Sequence, residues 1–291
     1  MSAKIILFLI ISGWIYTVSS QQEEFRIIYI IHGDGNYLYH DEEGNAINAA
    51  ERILEQAKHV AENIKRGEVF IFFQKPSGSF LFFNNDDGEF YYYKNGLTIT
   101  EESYSGRKAL DYEVEAGLIK KYSENAAVRR KNILLYYGHE VPKEGASGYH
   151  SSYSEKQFGI DIFADGIVRI ISSSIPGKFD LIVLSTCRNG NEDFITALTP
   201  LTDYLIASPG DIHLSYLNSE SLISLANNES ISSYDLAFEF TRYSYEKLSS
   251  AASTEVIINI YDLRNTSGDA EDRITKFYRQ AEFGFRKNKV K

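Results

Sequence analysis

FDLIVLSTCRNGNED, Phe179 to Asp193, runs unbroken and apolar to Thr186, reaches Cys187, and then passes through Arg188, Asn189 and Gly190 into an acidic helix start. A strand that is apolar on both faces belongs inside a parallel sheet covered by helices, because a half-exposed strand alternates. Working outward from this stretch, strand and helix patterns take turns along the chain, which is the signature of an α/β domain. Strands are expected at Phe25–Ile31, Val69–Lys75, Asn132–Tyr137, Phe179–Thr186, Asp203–Pro209 and Val256–Leu263. Helices are expected from about Ala46 to Lys65, Tyr112 to Tyr122, Glu192 to Leu201, Ser232 to Ser250 and Ala270 to Phe285. The implied architecture is a mostly parallel six-stranded sheet with helices on both faces.

The first helix is the most regular: Ile47, Ala50, Ile53, Leu54, Ala57, Val60, Ala61 and Ile64 recur at three and four, and Gly67 follows. Two aromatic runs in SFLFFNNDDGEFYYYKNG, Ser79 to Gly96, flank Asn84–Gly88 and read as a β-hairpin added at the edge or face of the sheet. The long connection from Gly138 to Gly177 contains FGIDIFADGIVRIISSS, Phe158 to Ser174, which fits an amphipathic helix or a strand. Connections of that length in compact domains tend to be functional.

Composition narrows the function. Forty acidic residues against 30 basic give a formal net charge of −10, which disfavours nucleic acid as a partner, since binding it rests on phosphate neutralisation by Lys and Arg. Basic peptides would be attracted instead. The opening MSAKIILFLIISGWIYTVSSQQ puts Lys4 ahead of an apolar run and ends in Val18, Ser19 and Ser20, so residues 1–20 read as a signal peptide. Its apolar run is short of the roughly 20 residues that span a bilayer. A secreted or periplasmic protein is expected, with no membrane anchor after cleavage, residues 21–291 forming one domain and the protein a monomer. The single cysteine excludes an internal disulfide, and a lone thiol in an exported chain hints at use.

Ligands of such sheets bind beyond the carboxyl ends of the strands. His139 closes NILLYYGH just past the third strand and Cys187 closes the fourth. If the two strands are neighbours, the side chains emerge side by side, and a histidine beside a thiol can take its proton. The helix that starts after Cys187 would favour a thiolate through its N-terminal partial charge. The backbone N–H of Cys187, with that of Glu140 beside His139, could form an oxyanion hole, and Gly138 and Gly190 would allow close approach.

From the first strand to the last helix the chain resembles the clostripain family of caspase-like cysteine peptidases. The carriers are IIYIIHGDGNYLYHD after the first strand, the third strand ending in His139, FDLIVLSTCRNGNED with Gly190 three residues after the cysteine, DYLIASPGDIHLSYL, and VIINIYDL. The resemblance implies a caspase-like three-layer sandwich, Cys187 as nucleophile, His139 as base, a peptide or protein substrate, and calcium as a possible requirement. Two positions depart from the family pattern: Glu140 stands where glycine follows the histidine, and Ser185 stands where an acid is linked to recognition of a basic residue. Asp211, past the fifth strand, is the candidate replacement for that charge, with Ser185 and His213 as further candidate pocket residues.

Other readings have their own residues. His32 also ends a strand and precedes glycine, but it lies in the wrong block of the order to be the base. A zinc site is not expected, because there is no HExxH spacing and no second cysteine. Oxygen ligands for calcium could come from Asp86, Asp87 and Glu89 or from Asp34, Asp41 and Glu43, neither with EF-hand spacing. The alternatives to a peptidase are a caspase-like fold that binds peptides without cleaving them, and a surface-binding module using the aromatic hairpin.

Overall fold

Buried from Phe25 to His32, the first strand has apolar residues on both faces and can therefore sit only between other strands and beneath two layers of helix. The computed structural model describes residues 24–32, 38–40, 46–75, 88–104, 111–123, 130–147, 156–212, 217–228, 230–251, 255–264 and 274–279. The chain begins with β1 (Glu24–His32), the short pair β2 (Leu38–His40) and β3 (Ala46–Asn48), helix α1 (Ala49–Asn63), and β4 (Gly67–Gln74). Next come β5 (Gly88–Lys94), β6 (Leu97–Tyr104), α2 (Glu113–Tyr122), β7 (Arg130–Tyr137), the two-residue strands β8 (Ala146–Ser147) and β9 (Gln157–Phe158), and α3 (Ile160–Ser174). The remainder is β10 (Phe179–Ser185), α4 (Glu192–Leu198), β11 (Thr202–Ala207), α5 (Leu222–Leu225), α6 (Ser233–Ala251), β12 (Val256–Asp262) and β13 (Ile274–Arg279).

Among the described residues the main sheet has nine strands in the order β13-β12-β11-β10-β7-β1-β4-β5-β6. Its centre, β4-β1-β7-β10-β11, is parallel, whereas β5 and β6 at one edge and β12 and β13 at the other join antiparallel. This corrects the expected six-stranded, mostly parallel sheet. All six expected strands are present, but both edges are extended by strands that satisfy the backbone groups an open edge would leave unpaired. At the far edge the expected helix from Ala270 to Phe285 is replaced, in its described part, by β13, which pairs with β12 along Ile274–Arg279. Pairing with an open edge outweighs the weak helical periodicity of this segment.

Two apolar layers flank the sheet. On one face Ile27, Tyr29, Ile31, Leu135, Tyr137 and Val183 pack beneath α1, α5 and α6. On the other, Ile28, Ile30, Leu134, Tyr136, Ile182 and Leu184 pack beneath α2, α3 and α4. The segment that fitted either a helix or a strand is α3, and it buries Ile160, Phe163, Ile167 and Ile170 at helical spacing. Helix α1 begins later than its periodicity alone suggests because Asn48 caps it, with Oδ1 accepting from the N–H groups of Ala50 at 3.0 Å and Glu51 at 3.3 Å.

At the end of the sheet away from the strand carboxyl termini, Arg26 and Glu68 form an ion pair buried to 1% exposure on both sides. Arg26 donates from Nε and Nη2 to Glu68 Oε2 and from Nη1 to the Ser174 carbonyl, and Tyr92 donates to Glu68 Oε1. Strands β1, β4 and β5 are thereby tied to the end of α3.

No helix among the described residues is long and apolar enough to cross a membrane. The expected signal peptide, the aromatic run Ser79–Phe83, and Asp34, Asp41, Glu43, Asp86 and Asp87 lie outside the described residues.

Candidate active site

The third and fourth expected strands, β7 and β10, are direct neighbours. They pair in parallel from Ile133 with Leu181 to Tyr137 with Ser185, a constant offset of 48 residues. Beyond the strands the contact continues: the Gly138 N–H reaches the Ser185 carbonyl at 3.5 Å. Further on, Asn189 Oδ1 accepts from the Val141 N–H and Asn189 Nδ2 donates to the Val141 carbonyl, each at 3.0 Å and again with a separation of 48. His139 and Cys187 are the pair with the same offset midway between these two fixed points.

Side-chain parity places Cys187 on a definite face. Tyr137 donates to the Leu217 carbonyl, and Ser185 Oγ accepts from the Leu217 N–H at 2.9 Å, so both belong to the face covered by α1, α5 and α6. Two residues on, Cys187 continues that face: its Sγ accepts from the Ile212 N–H at 3.4 Å and lies 3.8 Å from the Ile212 carbonyl oxygen. The sulfur is thus held against both backbone groups of Ile212, accepting from the N–H and donating toward the carbonyl. Cys187 is half-buried, as is His139.

The turn after Cys187 is built residue by residue. Arg188 has φ 53°, the left-handed region that a non-glycine residue rarely enters, and its N–H donates to the Gly210 carbonyl at 2.9 Å. Thr186 Oγ1 donates to Asn189 Oδ1 at 2.6 Å, so the side-chain amide that holds Val141 is itself held. The Gly190 N–H donates to the Ser208 carbonyl at 2.7 Å, and its carbonyl accepts from Tyr261 Oη at 2.9 Å. A Cβ on Gly190 would lie 2.7 Å from Ser208 C and 2.8 Å from Pro209 N. The close approach expected at Gly190 is thus made by the chain itself. Asn191 then caps α4, its Oδ1 accepting from the Phe194 N–H at 3.1 Å.

Several charges around these strand ends are paired. Arg188 Nε and Nη2 meet the two Asp211 carboxylate oxygens at 3.0 and 3.2 Å, and Arg188 Nη1 lies 3.9 Å from Glu140 Oε2. Lys143 and Asp193 pair at 2.9 Å. Of the candidate pocket residues, Asp211 is therefore occupied by Arg188, and Ser185 is at 0% exposure with its hydroxyl engaged by Leu217. His213 lies outside the described residues. His32 hydrogen-bonds Tyr136 Oη through Nδ1 at 3.0 Å and packs near Tyr112 and Phe158, on the face opposite Cys187. Among the described residues no group of three or more His, Cys, Asp and Glu side chains is arranged to hold a metal. Glu89, from one of the acidic groups considered for calcium, accepts from Tyr91 Oη and pairs with Lys75.

Two residues that matter to this geometry were not singled out from sequence. Asn-Gly at 189–190 signals a turn, but nothing local shows that the Asn189 amide reaches Val141. Arg188 carries no signal of its partner Asp211.

Among the described residues, a mixed sheet with three helices on each face has the fold of the C11, or clostripain-like, cysteine proteases. A secreted C11 cysteine protease from Bacteroides thetaiotaomicron, iotapain, superposes with a TM-score of 0.55 at 14% identity, over 83% of this chain and 67% of that one. A structure of a secreted C11 protease from the same organism, in complex with an irreversible peptide inhibitor, gives 0.56 at 11% identity over 83% and 66%. An inactive zymogen C11 protease from Parabacteroides distasonis gives 0.55 at 14% identity over 83% and 62%. The chain thus spans about two thirds of the length of these proteases. No family model matches the sequence, and no curated protein matches it.

Proposed function

We propose that this protein is an exported cysteine peptidase in which His139 activates Cys187 for attack on a peptide carbonyl. The observation that carries the reading is the pair of fixed points, Tyr137–Ser185 and Val141–Asn189, on either side of His139 and Cys187. The fold shared with C11 proteases supports it, and the leader-like residues 1–20 support export.

In this mechanism His139 takes the Cys187 proton and the thiolate attacks the carbonyl carbon, moving the C=O π pair onto oxygen. The backbone N–H groups of Cys187 and Glu140 stabilise that oxyanion, with Glu140 steadied by the clamp on the adjacent Val141. Collapse breaks the C–N bond, and His139 returns its proton to the departing amine. Water, deprotonated by His139, then attacks the thioester, releasing the carboxylate product and restoring the thiol. The pair is read as a dyad, as the resemblance to clostripain-like peptidases implies; Asp193 contacts Lys143 and Glu140 contacts Arg188.

The direct test is hydrolysis of a broad peptide panel by the wild type and by Cys187→Ala and His139→Ala, together with labelling by a thiol-reactive peptidyl electrophile. Both activities are expected in the wild type, with hydrolysis lost in both variants. Hydrolysis that survives Cys187→Ala would sink the assignment. Peptide binding without hydrolysis or accelerated labelling would favour the non-cleaving alternative.

A further inference from the structure

Three loops meet at the carboxyl end of the sheet: those after β7, β10 and β11, which lie side by side in that order and carry Glu140, Arg188 and Asp211. Arg188, on the middle loop and next to the nucleophile, reaches both neighbours. Its fork grips the Asp211 carboxylate with two contacts at 3.0 and 3.2 Å and comes within 3.9 Å of Glu140. The backbone holds it there, because φ 53° and the N–H donated to the Gly210 carbonyl keep its Cα against the segment that carries Asp211.

A carboxylate beside a nucleophilic cysteine would draw a Lys or Arg side chain of a substrate toward the cleft. Here that charge already has a partner from the chain itself. The fork–fork geometry takes the lone pairs along one edge of Asp211, and the positive charge offsets much of what Asp211 and Glu140 would project. Among the described residues nearby, Lys143 pairs with Asp193 and also feels the charges of Glu144 and Glu192. Arg188 and Asp211 are 60% and 68% exposed, so their pairing contributes little to folding and can be altered without unfolding the protein.

We propose that Arg188 is a specificity-determining residue: by occupying Asp211 it suppresses selection of a basic side chain on the acyl side of the cleaved bond and leaves the cleft open to uncharged ones. This rests on the peptidase reading. It predicts that Asp211 and Glu140 begin to select basic residues once Arg188 is removed.

Two measurements test it. The first compares kcat/KM for peptides that differ only in arginine or norleucine on the acyl side. The second needs no hydrolysis: the chain has one cysteine, so a cationic and an anionic methanethiosulfonate reagent both report Cys187 alone. Arg188→Met is expected to raise the arginine-to-norleucine ratio, and the cationic-to-anionic reaction ratio, by about three- to tenfold, the scale of one charge lost from a wet cleft. Arg188→Lys keeps the charge and should leave both ratios within about twofold, by the same scale. Asp211→Asn should lower both, and the double variant Arg188→Met with Asp211→Asn should fall back toward the wild type. Ratios unmoved by Arg188→Met, or moved equally by Arg188→Lys, would overturn the proposal. If no variant cleaves any peptide, the peptidase reading fails and the specificity role falls with it, while the reagent ratios separately decide whether Arg188 masks the charge of Asp211.

Discussion

Asn189 holds Val141 as a backbone peptide would: its side-chain amide accepts from the Val141 N–H and donates to the Val141 carbonyl, both at 3.0 Å. The ladder between β7 and β10 is in this way resumed beyond the strand ends by a side chain. Between the last strand pair and this clamp lie His139 on one chain segment and Cys187 on the other. Thr186 completes the fixture by donating to the same Asn189 oxygen at 2.6 Å.

Asn189→Ala would leave both Val141 groups unpaired in a buried position. Two unsatisfied buried backbone groups cost about 3 kcal/mol, so the urea midpoint should fall with an unchanged slope. Labelling of Cys187 by a peptidyl electrophile should slow by more than the loss of folded protein explains. A variant that is destabilised yet labels at the wild-type rate would show that the clamp serves stability alone.

Gly190→Ala tests the fit of the loop against its neighbour. The added methyl would sit 2.7 Å from Ser208 C and 2.8 Å from Pro209 N, both backbone atoms that cannot swing aside. Overpacking of this kind costs about 1–3 kcal/mol. The shift it forces also carries Asp211 and Ile212, so slower thiol labelling is expected alongside a lower Tm.

The Arg26–Glu68 pair provides a contrast, because it is buried but distant. Glu68→Gln leaves the Arg26 guanidinium without its counter-charge at 1% exposure and removes the 3.7 Å contact of Arg130 Nη1, which keeps Glu24, for a loss of about 3 kcal/mol. Replacing both partners with methionine should recover much of that loss. At about 3.3 Å per residue, Arg26 is roughly 20 Å from the carboxyl end of β1. Labelling of Cys187 per folded molecule should therefore be unchanged in all three proteins, and a change would point to coupling along the sheet.

The central strands were legible because burial on both faces leaves an unbroken apolar run, as in Phe179–Ser185, that no other element would carry. That His139 and Cys187 follow two such strands was legible for the same reason, and the strands are neighbours in the sheet. The edges were not. The expected hairpin was centred on Asn84–Gly88, whereas β5 and β6 meet across Asn95 and Gly96, whose φ values of 52° and 81° suit a tight turn. Two turn signals lay close together, and the second strand, LTITEESY, is polar and largely exposed, so it lacked the aromatic mark of the first. β13 was hidden because its pattern suits a helix and only the open edge of β12 makes it a strand. The Asn189 clamp and the Arg188–Asp211 pair were unreadable because a polar side chain does not disclose a partner 48 or 23 residues away.

Glu115 gives the fold a distinct pH dependence. It lies on α2 at 2% exposure, and burial pushes its carboxyl from 4.5 up to about 7, opposed in part by its own backbone N–H, by Tyr104 and by Gln74, and reinforced by the charge of Asp111. Between those two values the folded protein keeps a proton that the unfolded chain has released. Stability therefore falls as pH rises from about 4.5 through about 7 and is level above that, with a total loss on the order of 3 kcal/mol. Asp180, also raised chiefly by burial, acts in the same direction, but it is common to the wild type and to Glu115→Gln. The difference between those two proteins thus isolates Glu115. Glutamine cannot ionise, so the variant should be the more stable by about 2–3 kcal/mol at pH 8, with the gap closing toward pH 4.5. Urea unfolding at a series of pH values reads this directly, and parallel stability curves for the two proteins would show that Glu115 is not held protonated in the fold.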